Sequence, residues 1–376
     1  LRIYLAAKIE KWYATDYSLT KEQYQRGYLT PKPRGEHREL RMELDALVQK
    51  AEEICKRLTE RFTFEKLERE MYRERGSLND IITHFDDYIQ NLRDEGRVST
   101  ADSYRLAIKS LIDFAGEGKR AKPTMLPFQT FNSVFLKRYE LWMLSLGRSN
   151  ATTGIYLRNL RAVFNRAINQ GDISSEFYPF KKGSYKIPTS RNVKKSLNRE
   201  DLKTLYTYEI PEESEMTKAR DFWFFSYQCN GMNFRDIAEL RYKQITAKSF
   251  SFIRRKTINT AKDDPRLIVI PLTEKIRAII EKYGNPKKQK DQYVFPIFTS
   301  GMTEEEKLRA NRNFIRFVNQ HMNKLAKLAG LDINLSTYVA RHTFTTSAIR
   351  SGASMEFVQE TLGHHSMSTT QNYWAG

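Results

Sequence analysis

A tyrosine, a histidine and an arginine stand close together near the end of the sequence, in a pattern that suits chemistry on a phosphate. Leu362-Gly363-His364 is followed nine residues after the histidine by Tyr373, and Arg341 lies in the preceding run 336–343. An arginine can bind phosphate oxygens in pairs, and an activated tyrosine hydroxyl can attack phosphorus. Residues 336–376 therefore predict a phosphoryl-transfer site, and the rest of the chain must supply the phosphate-bearing substrate or further catalytic groups to Tyr373.

Helix signals in this stretch explain how the three side chains could meet. The first predicted helix is capped by Ser336 and runs to about Arg350, with Gly352 beyond its end. The second is capped by Ser354 and is ended by Gly363. Ser368 and Gln371 form a capping box at the start of the third. His364 then falls in the turn after the second helix, and Tyr373 falls on the third. Tight turns between short helices can bring both to Arg341.

These residues at these spacings resemble the second motif box of the tyrosine recombinases, the phage-integrase family. The boxes are Arg341-His342-Thr343, Leu362-Gly363-His364 and Tyr373. The resemblance covers the whole chain in layout, and residues 198–373 in detail. The Gly231-Met232 and Ala340-Arg341-His342-Thr343 runs are similar to those of integrases from Bacteroides-type conjugative transposons.

The resemblance implies a role for each group. Tyr373 would attack the scissile phosphate, giving a 3′-phosphotyrosine and a free 5′-hydroxyl without a cofactor, and Arg341 would hold the non-bridging oxygens. His364 would donate a hydrogen bond to the same phosphate or assist proton transfer. Lys256, at the turn of a predicted β-hairpin, would be the general acid for the 5′-oxygen, although an ordinary hairpin lysine is the alternative.

Two positions depart from the family pattern. Asn233 occupies the place of the first catalytic arginine and suits the N-cap of a helix over 234–241. Arg235 and Arg254 are the candidates to replace that arginine. Arg254 is favoured, because it lies two residues before Lys256 in the predicted strand and would share its face. Tyr338 stands where the family often has a histidine, and its hydroxyl can donate a hydrogen bond to phosphate but carries no positive charge.

Hydrophobic periodicity predicts a mainly α, multidomain fold. The resemblance assigns the domains their roles: a small β-containing, arm-type DNA-binding domain with a connecting helix occupies 1–75, and a helical core-binding bundle occupies 76–180. A basic linker over 181–195 precedes a mostly α catalytic domain with a small β-hairpin over 196–376. The first domain has a strand–turn–strand pattern within 2–19, a turn-rich stretch over 24–37, and a helix over 39–61.

The predicted elements of the later domains follow from caps and apolar spacing. In the bundle, one helix opens at Ser77-x-x-Asp80, one at Ser99 or Thr100, one runs from about Val134 to Gly147, and one follows Ser149. The catalytic domain begins with a helix near 196–205. Further helices cover 221–229, 234–241, 274–282 and 304–328, and hairpin strands cover 251–257 and 266–272.

The charge of the chain points to a polyanionic partner. Lys and Arg number 63 against 45 Asp and Glu, a formal charge of +18, and the pI is about 9.6. The predicted DNA-binding cations lie on one bundle helix and its approach and in the linker: Arg148, Arg158, Arg161, Lys181, Lys182, Lys194 and Lys195. No apolar run approaches a membrane span, and Cys55 and Cys229 are too few for a disulfide framework or a zinc site, so a cytoplasmic protein without a metal is expected.

These observations predict a site-specific DNA recombinase, an integrase of a mobile element that cleaves and rejoins double-stranded DNA. Core-type and arm-type sites, a homotetramer on DNA, and host bending or directionality factors are the implied partners. Two competitors remain: a non-catalytic or weakly active DNA-binding protein of this fold, favoured by Asn233 and Tyr338, and a relaxase resembling type IB topoisomerases. No carboxylate cluster supports a metal-dependent nuclease.

Overall fold

The computed structural model describes residues 2–5, 9–13, 18–58, 62–64, 67–68, 71, 77–118, 121–189, 196–211, 213–256, 258, 266–286 and 289–363. The chain divides into two compact units, Leu1–Glu95 with Thr100–Ser190, and Gly96–Ser99 with Arg191–Gly376. Within the described ranges, no helix is long and apolar enough to cross a membrane. The mainly α, multidomain fold class is confirmed, with small antiparallel sheets.

The first unit begins with the predicted pair of strands. Strands β1 (Arg2–Leu5) and β2 (Ile9–Trp12) are antiparallel, with Arg2 opposite Trp12. The turn-rich stretch is instead partly helical: α1 (Lys21–Tyr24), capped by Thr20, continues as one π-helical turn over Gln25–Leu29. Helix α2 (Glu36–Leu58) begins three residues before its predicted start, and its predicted end lies outside the described residues.

A four-helix bundle follows, and all of it except Val98 and Ser99 belongs to the first unit. Its helices are α3 (Ile81–Asp94), α4 (Val98–Ala115), α5 (Ser133–Ser145) and α6 (Asn150–Gln170). Buried aromatic side chains fill its core, and the rings of Phe128 and Phe164 meet edge to face with centroids 4.9 Å apart. The predicted cap of α6, Ser149, is confirmed, since its side chain accepts from the Thr152 N–H.

Two predicted helix starts in the bundle are wrong. Asp80, and not Ser77, caps α3, because Ser77–Asn79 forms a separate 3₁₀ turn. Helix α4 starts at Val98, before the predicted caps at Ser99 and Thr100.

Replacing Asp80 with alanine is expected to destabilise α3 strongly. Its buried carboxylate accepts from the N–H groups of Ile82 and Thr83 at 3.2 Å, from the Thr83 hydroxyl at 2.8 Å, and from the Leu126 N–H at 2.8 Å. A lost cap together with a buried amide left without its acceptor costs about 2–4 kcal/mol. Native-state hydrogen exchange of the α3 amides measures this loss. Ser149→Ala, which removes an exposed cap, is the control and should cost α6 about 1 kcal/mol; equal costs would contradict the expectation.

The second unit is helical around one β-hairpin. Its helices are α7 (Arg199–Thr207), α8 (Glu215–Gln228), α9 (Phe234–Glu239), α10 (Glu274–Tyr283), α11 (Glu304–Leu328), α12 (Thr337–Arg350) and α13 (Met355–Leu362). Strands β3 (Ser249–Ile253) and β4 (Leu267–Pro271) are antiparallel, with Ile253 opposite Leu267. The hairpin was predicted, although β3 starts and ends earlier than expected, and α9 stops two residues short of Arg241.

Helix α12 is anchored at its start by other parts of the unit. The indole N–H of the fully buried Trp223, on α8, donates to the Ser336 carbonyl at 3.1 Å. The amide of Thr337 donates to the Asn319 side chain on α11 at 2.7 Å. Six residues further along the helix, the Thr343 hydroxyl oxygen accepts from the Leu197 N–H at 3.1 Å. These contacts fix the backbone that carries Arg341.

Candidate active site

Arg341 lies buried on α12, with only 3% of its surface exposed. One terminal nitrogen, Nη1, donates to the Gly231 carbonyl at 2.8 Å, and the other, Nη2, donates to the Leu362 carbonyl at 2.7 Å. Gly231 lies just beyond α8, and Leu362 is the last residue of α13. The guanidinium is thus held between the ends of two helices by backbone oxygens.

Arg254 reaches the same point from the β-hairpin. It is 7% exposed, and its Nη1 donates to the Leu362 carbonyl at 3.0 Å and to the Gly363 carbonyl at 3.3 Å. Arg254 and Arg341 therefore share the Leu362 carbonyl as an acceptor. Two guanidinium groups on one oxygen concentrate positive charge at the end of α13, where the helix dipole also favours cations.

The segment with the other two predicted catalytic groups starts at this point. Helix α13 runs from Met355 to Leu362 with Ser354 as its cap, and Gly363 ends it with a φ of 61°, as the sequence predicted. His364 follows immediately. His364 and Tyr373 lie outside the described residues, and so does the capping box at Ser368. Within the described residues, Arg341 and Arg254 thus lie at the end of α13, directly before His364 in the chain.

Lys256 does not share a face with Arg254, contrary to the argument from strand periodicity. Strand β3 ends at Ile253, so both residues lie in the turn that follows, where the period of two no longer applies. Arg254 is buried, whereas Lys256 is exposed. Lys256 is thus on the open side of this turn, accessible to a large ligand.

Asn233 occupies the predicted N-cap position of α9 but makes no capping hydrogen bond with its side chain. Its amide instead donates to the Asp236 carboxylate at 3.4 Å, and the Arg255 N–H donates to the same carboxylate at 2.9 Å. Burial raises the pKa of Asp236, which the Arg255 amide, the Arg254 charge and Asn233 partly oppose. Asp236 ties α9 to the turn that carries Arg254 and Lys256.

Arg235 is engaged with acidic side chains. Its Nε donates to Glu239 at 2.7 Å, its Nη2 donates to Glu304 at 3.0 Å, and its guanidinium stacks 4.8 Å from the Phe298 ring centre. Because two carboxylates offset its charge, Arg235 is less suited than Arg254 to binding a phosphate. The sequence favoured Arg254 through a strand periodicity, and these contacts support the same choice for a different reason.

Tyr338 lies one helical turn before Arg341 on α12 and is 50% exposed. Its ring packs edge to face on His342, with centroids 4.7 Å apart. The hydroxyl can face a ligand while the ring is held by a largely buried histidine.

The predicted DNA-binding cations of the first unit are all exposed where the structure describes them. Arg148 precedes the cap of α6, Arg158 and Arg161 lie on that helix, and Lys181 and Lys182 follow it. None of these five forms an ion pair with another described residue. Lys194 and Lys195 lie outside the described ranges.

Sequence reasoning missed two contributions to this site. The Leu362 and Gly231 carbonyls are backbone atoms, so residue type carries no signal for them. Asp236 was visible only as a carboxylate three residues after Asn233, and its link to the Arg255 amide depends on the fold.

The sequence profile of the Phage integrase family matches residues 195–375, and the profile of the Phage integrase SAM-like domain matches residues 80–187. The chain therefore carries phage integrase family domains, those of the tyrosine recombinases. Among its relatives is the tyrosine recombinase XerC of Thermodesulfovibrio yellowstonii, 25% identical over 234 residues, which are 60% of this chain and 72% of that protein.

Solved structures share the fold. A lambda integrase fragment, as a dimer bound to a core site, has a TM-score of 0.53 and 16% identity, covering 77% of this chain and 94% of that one. The Tn1549 transposon integrase, in complex with transposon right end DNA, has a TM-score of 0.51 and 16% identity, covering 79% of this chain and 95% of that one.

Proposed function

We propose that the protein is a site-specific DNA recombinase, an integrase that cleaves and rejoins double-stranded DNA through a 3′-phosphotyrosine intermediate. The observation that carries this proposal is the pair of buried arginines, Arg341 and Arg254, bonded to the Leu362 carbonyl just before His364. Two fixed guanidinium groups suit a phosphodiester, whose reaction adds negative charge to the non-bridging oxygens. The family domains supply the reaction class.

In the proposed reaction, the Tyr373 oxygen forms a bond to phosphorus while the bond from phosphorus to the 5′-oxygen breaks. Lys256 gives a proton to the departing 5′-oxygen, and its exposure fits a donor that must reach into bound DNA. His364 donates a hydrogen bond to the phosphate or assists removal of the tyrosine proton. Attack by a 5′-hydroxyl on the phosphotyrosine reverses these steps, so the bond energy is retained and no cofactor is consumed.

Arg254 takes the part of the first catalytic arginine in this proposal. Asn233, at the corresponding place in the chain, is neutral and bonded to Asp236. Arg235 has two carboxylates beside it. Arg254 alone of the two arginines shares an acceptor with Arg341, which supports its placement at the same phosphate.

Double-stranded DNA is the proposed partner of both units. The exposed cations on and around α6, with the linker lysines, would contact the backbone of core-type sites, and the N-terminal strands would contact arm-type sites. A homotetramer on two duplexes, host bending or directionality factors, and a mobile element of the conjugative-transposon kind extend the same proposal. The lambda and Tn1549 integrases were solved as DNA complexes.

A weakly active DNA-binding protein is the second candidate, and Asn233 is the observation that favours it. The loss of a phosphate-binding group that nothing replaces typically lowers the reaction rate by about 10²–10³-fold. This candidate, non-catalytic or weakly active, predicts salt-sensitive DNA binding with cleavage that is absent or slowed to that extent.

A suicide duplex distinguishes the two candidates. The chain is incubated in EDTA with core-site DNA carrying a nick, placed so that the short fragment bearing the new 5′-hydroxyl diffuses away after cleavage. We expect a covalent protein–DNA adduct that survives denaturation, with peptide mapping placing the DNA on Tyr373. Binding without an adduct would favour the second candidate, and DNA linked to another residue would overturn the proposed mechanism.

A further inference from the structure

Gly231 lies against the backbone of Arg341 in a conformation that suits glycine. Its φ is +68°, and a β-carbon there would lie 2.8 Å from the Arg341 Cα and 2.9 Å from its Cγ. Real β-carbons do not approach other atoms so closely, so any side chain would force the two segments apart. The Gly231 carbonyl also accepts the hydrogen bond from Arg341 Nη1.

Gly363 stands in a similar relation to Arg254. Its φ is +61°, and a β-carbon would lie 3.0 Å from the Arg254 Cδ and 2.9 Å from the Ile268 Cδ1. Its carbonyl accepts from Arg254 Nη1 at 3.3 Å. Each arginine thus passes over a glycine with a left-handed backbone and bonds to the carbonyl of that same glycine.

We propose that Gly231 and Gly363 are positioning residues, one for each guanidinium that binds the scissile phosphate; this inference rests on the proposed function. The missing side chain lets the arginine pass close to the backbone, and the carbonyl fixes the direction of its N–H groups. The glycines act through Arg341 and Arg254 and do not touch the DNA. Catalysis is sensitive to such placement, because displacements of about 1 Å at a reacting group can cost about 10²-fold in rate.

The two glycines differ in how far their surroundings can yield. At Gly231 the nearest atom belongs to the backbone of α12, which Trp223 and Asn319 hold at its start. At Gly363 the nearest atoms belong to side chains, which can rotate. Gly231→Ala must therefore move Arg341 with its backbone, whereas Gly363→Ala displaces only the side chain of Arg254, and the first substitution should have the larger effect.

Alanine substitutions test the inference in the full chain. Gly352, in the turn after α12, has a φ of +87° and nothing within 4 Å of its β position, so Gly352→Ala introduces the backbone strain without the contact. Single-turnover cleavage of the suicide duplex is measured at saturating protein, together with duplex affinity. We expect cleavage to fall about 10²-fold for Gly231→Ala and about tenfold for Gly363→Ala, with affinity within about threefold of wild type. Gly352→Ala should cleave like wild type.

A substrate with a neutral scissile group distinguishes a displaced arginine from a general loss of folded structure. A methylphosphonate at the scissile position lacks one anionic oxygen, so the reaction depends less on the arginine charges. The deficit of Gly231→Ala should then shrink to within about threefold, whereas misfolding would lower cleavage of both substrates equally. If Gly231→Ala does not fold, the milder Gly363→Ala answers the same question on Arg254.

The outcomes are distinct. Cleavage by Gly231→Ala at the rate of Gly352→Ala, or a deficit that persists on the methylphosphonate, would overturn this inference alone. Absence of cleavage by the wild-type chain would remove the proposed function and the inference with it.

Discussion

Tyr373→Phe is expected to abolish the covalent adduct with core-site DNA completely. In the proposed mechanism the substitution removes the oxygen that forms the bond to phosphorus, so no other group can restore the intermediate. Loss of one phosphate-binding donor lowers a rate by about 10²–10³, but loss of the nucleophile leaves no route to the phosphotyrosine. Adduct formation on the suicide duplex, followed on denaturing gels, measures the effect.

Tyr338→Phe is the matched control for this substitution. Tyr338 is a second tyrosine of the same unit, half-exposed on α12, with its ring held by His342. Its hydroxyl can contribute at most a hydrogen bond, so the variant should retain cleavage within about tenfold of wild type. Both variants should bind the duplex with wild-type affinity. An adduct that persists in Tyr373→Phe would exclude Tyr373 as the nucleophile.

Arg254→Ala is expected to lower the cleavage rate by about 10²–10³-fold while changing DNA affinity by less than about tenfold. The reason is its place beside Arg341 on the Leu362 carbonyl, where its charge can act on the same phosphate. Single-turnover cleavage at saturating protein separates this loss from binding.

Arg235→Ala is the paired control, because Arg235 lies two residues from Asn233 but is bonded to Glu239 and Glu304. Its loss should change cleavage much less than the loss of Arg254. Since Arg254 is buried, Arg254→Lys is also measured: it keeps the charge and gives up the forked geometry, so its rate should lie between wild type and Arg254→Ala. Equal cleavage by Arg254→Ala and the wild-type chain would remove the assignment.

Two helix starts were predictable because a polar side chain caps the first turn. Ser149 and Ser354 mark their helices correctly, since the hydroxyl that satisfies a free N–H is encoded by residue type. The prediction that Ser77 starts α3 was wrong because Asp80, three residues later, has a carboxylate that also accepts a hydrogen bond from the distant Leu126 amide. This long-range contact determines which of the two residues, Ser77 or Asp80, caps the helix, and it cannot be read from the local sequence.

The candidate site was predictable in residue type but not in arrangement. The sequence identified Arg341 by its motif and Arg254 by its place near Lys256. It could not show that β3 ends before Arg254. In the turn that follows the strand, the Arg254 side chain is buried and the Lys256 side chain is exposed. The sequence favoured Arg254 over Arg235 by strand periodicity alone, and it could not show the carboxylates around Arg235, which come from α9 and from the start of α11.

The shared Leu362 carbonyl has a consequence for thermal motion at the site. Because both guanidinium groups are bonded to one oxygen, a displacement of the end of α13 carries them in the same direction. In the proposed mechanism their separation must match the spacing of oxygens around a phosphorus atom, and we expect it to fluctuate less than the position of either group. We therefore expect a single peptide group to correlate the motions of two side chains that are 87 residues apart in the chain, at positions 254 and 341.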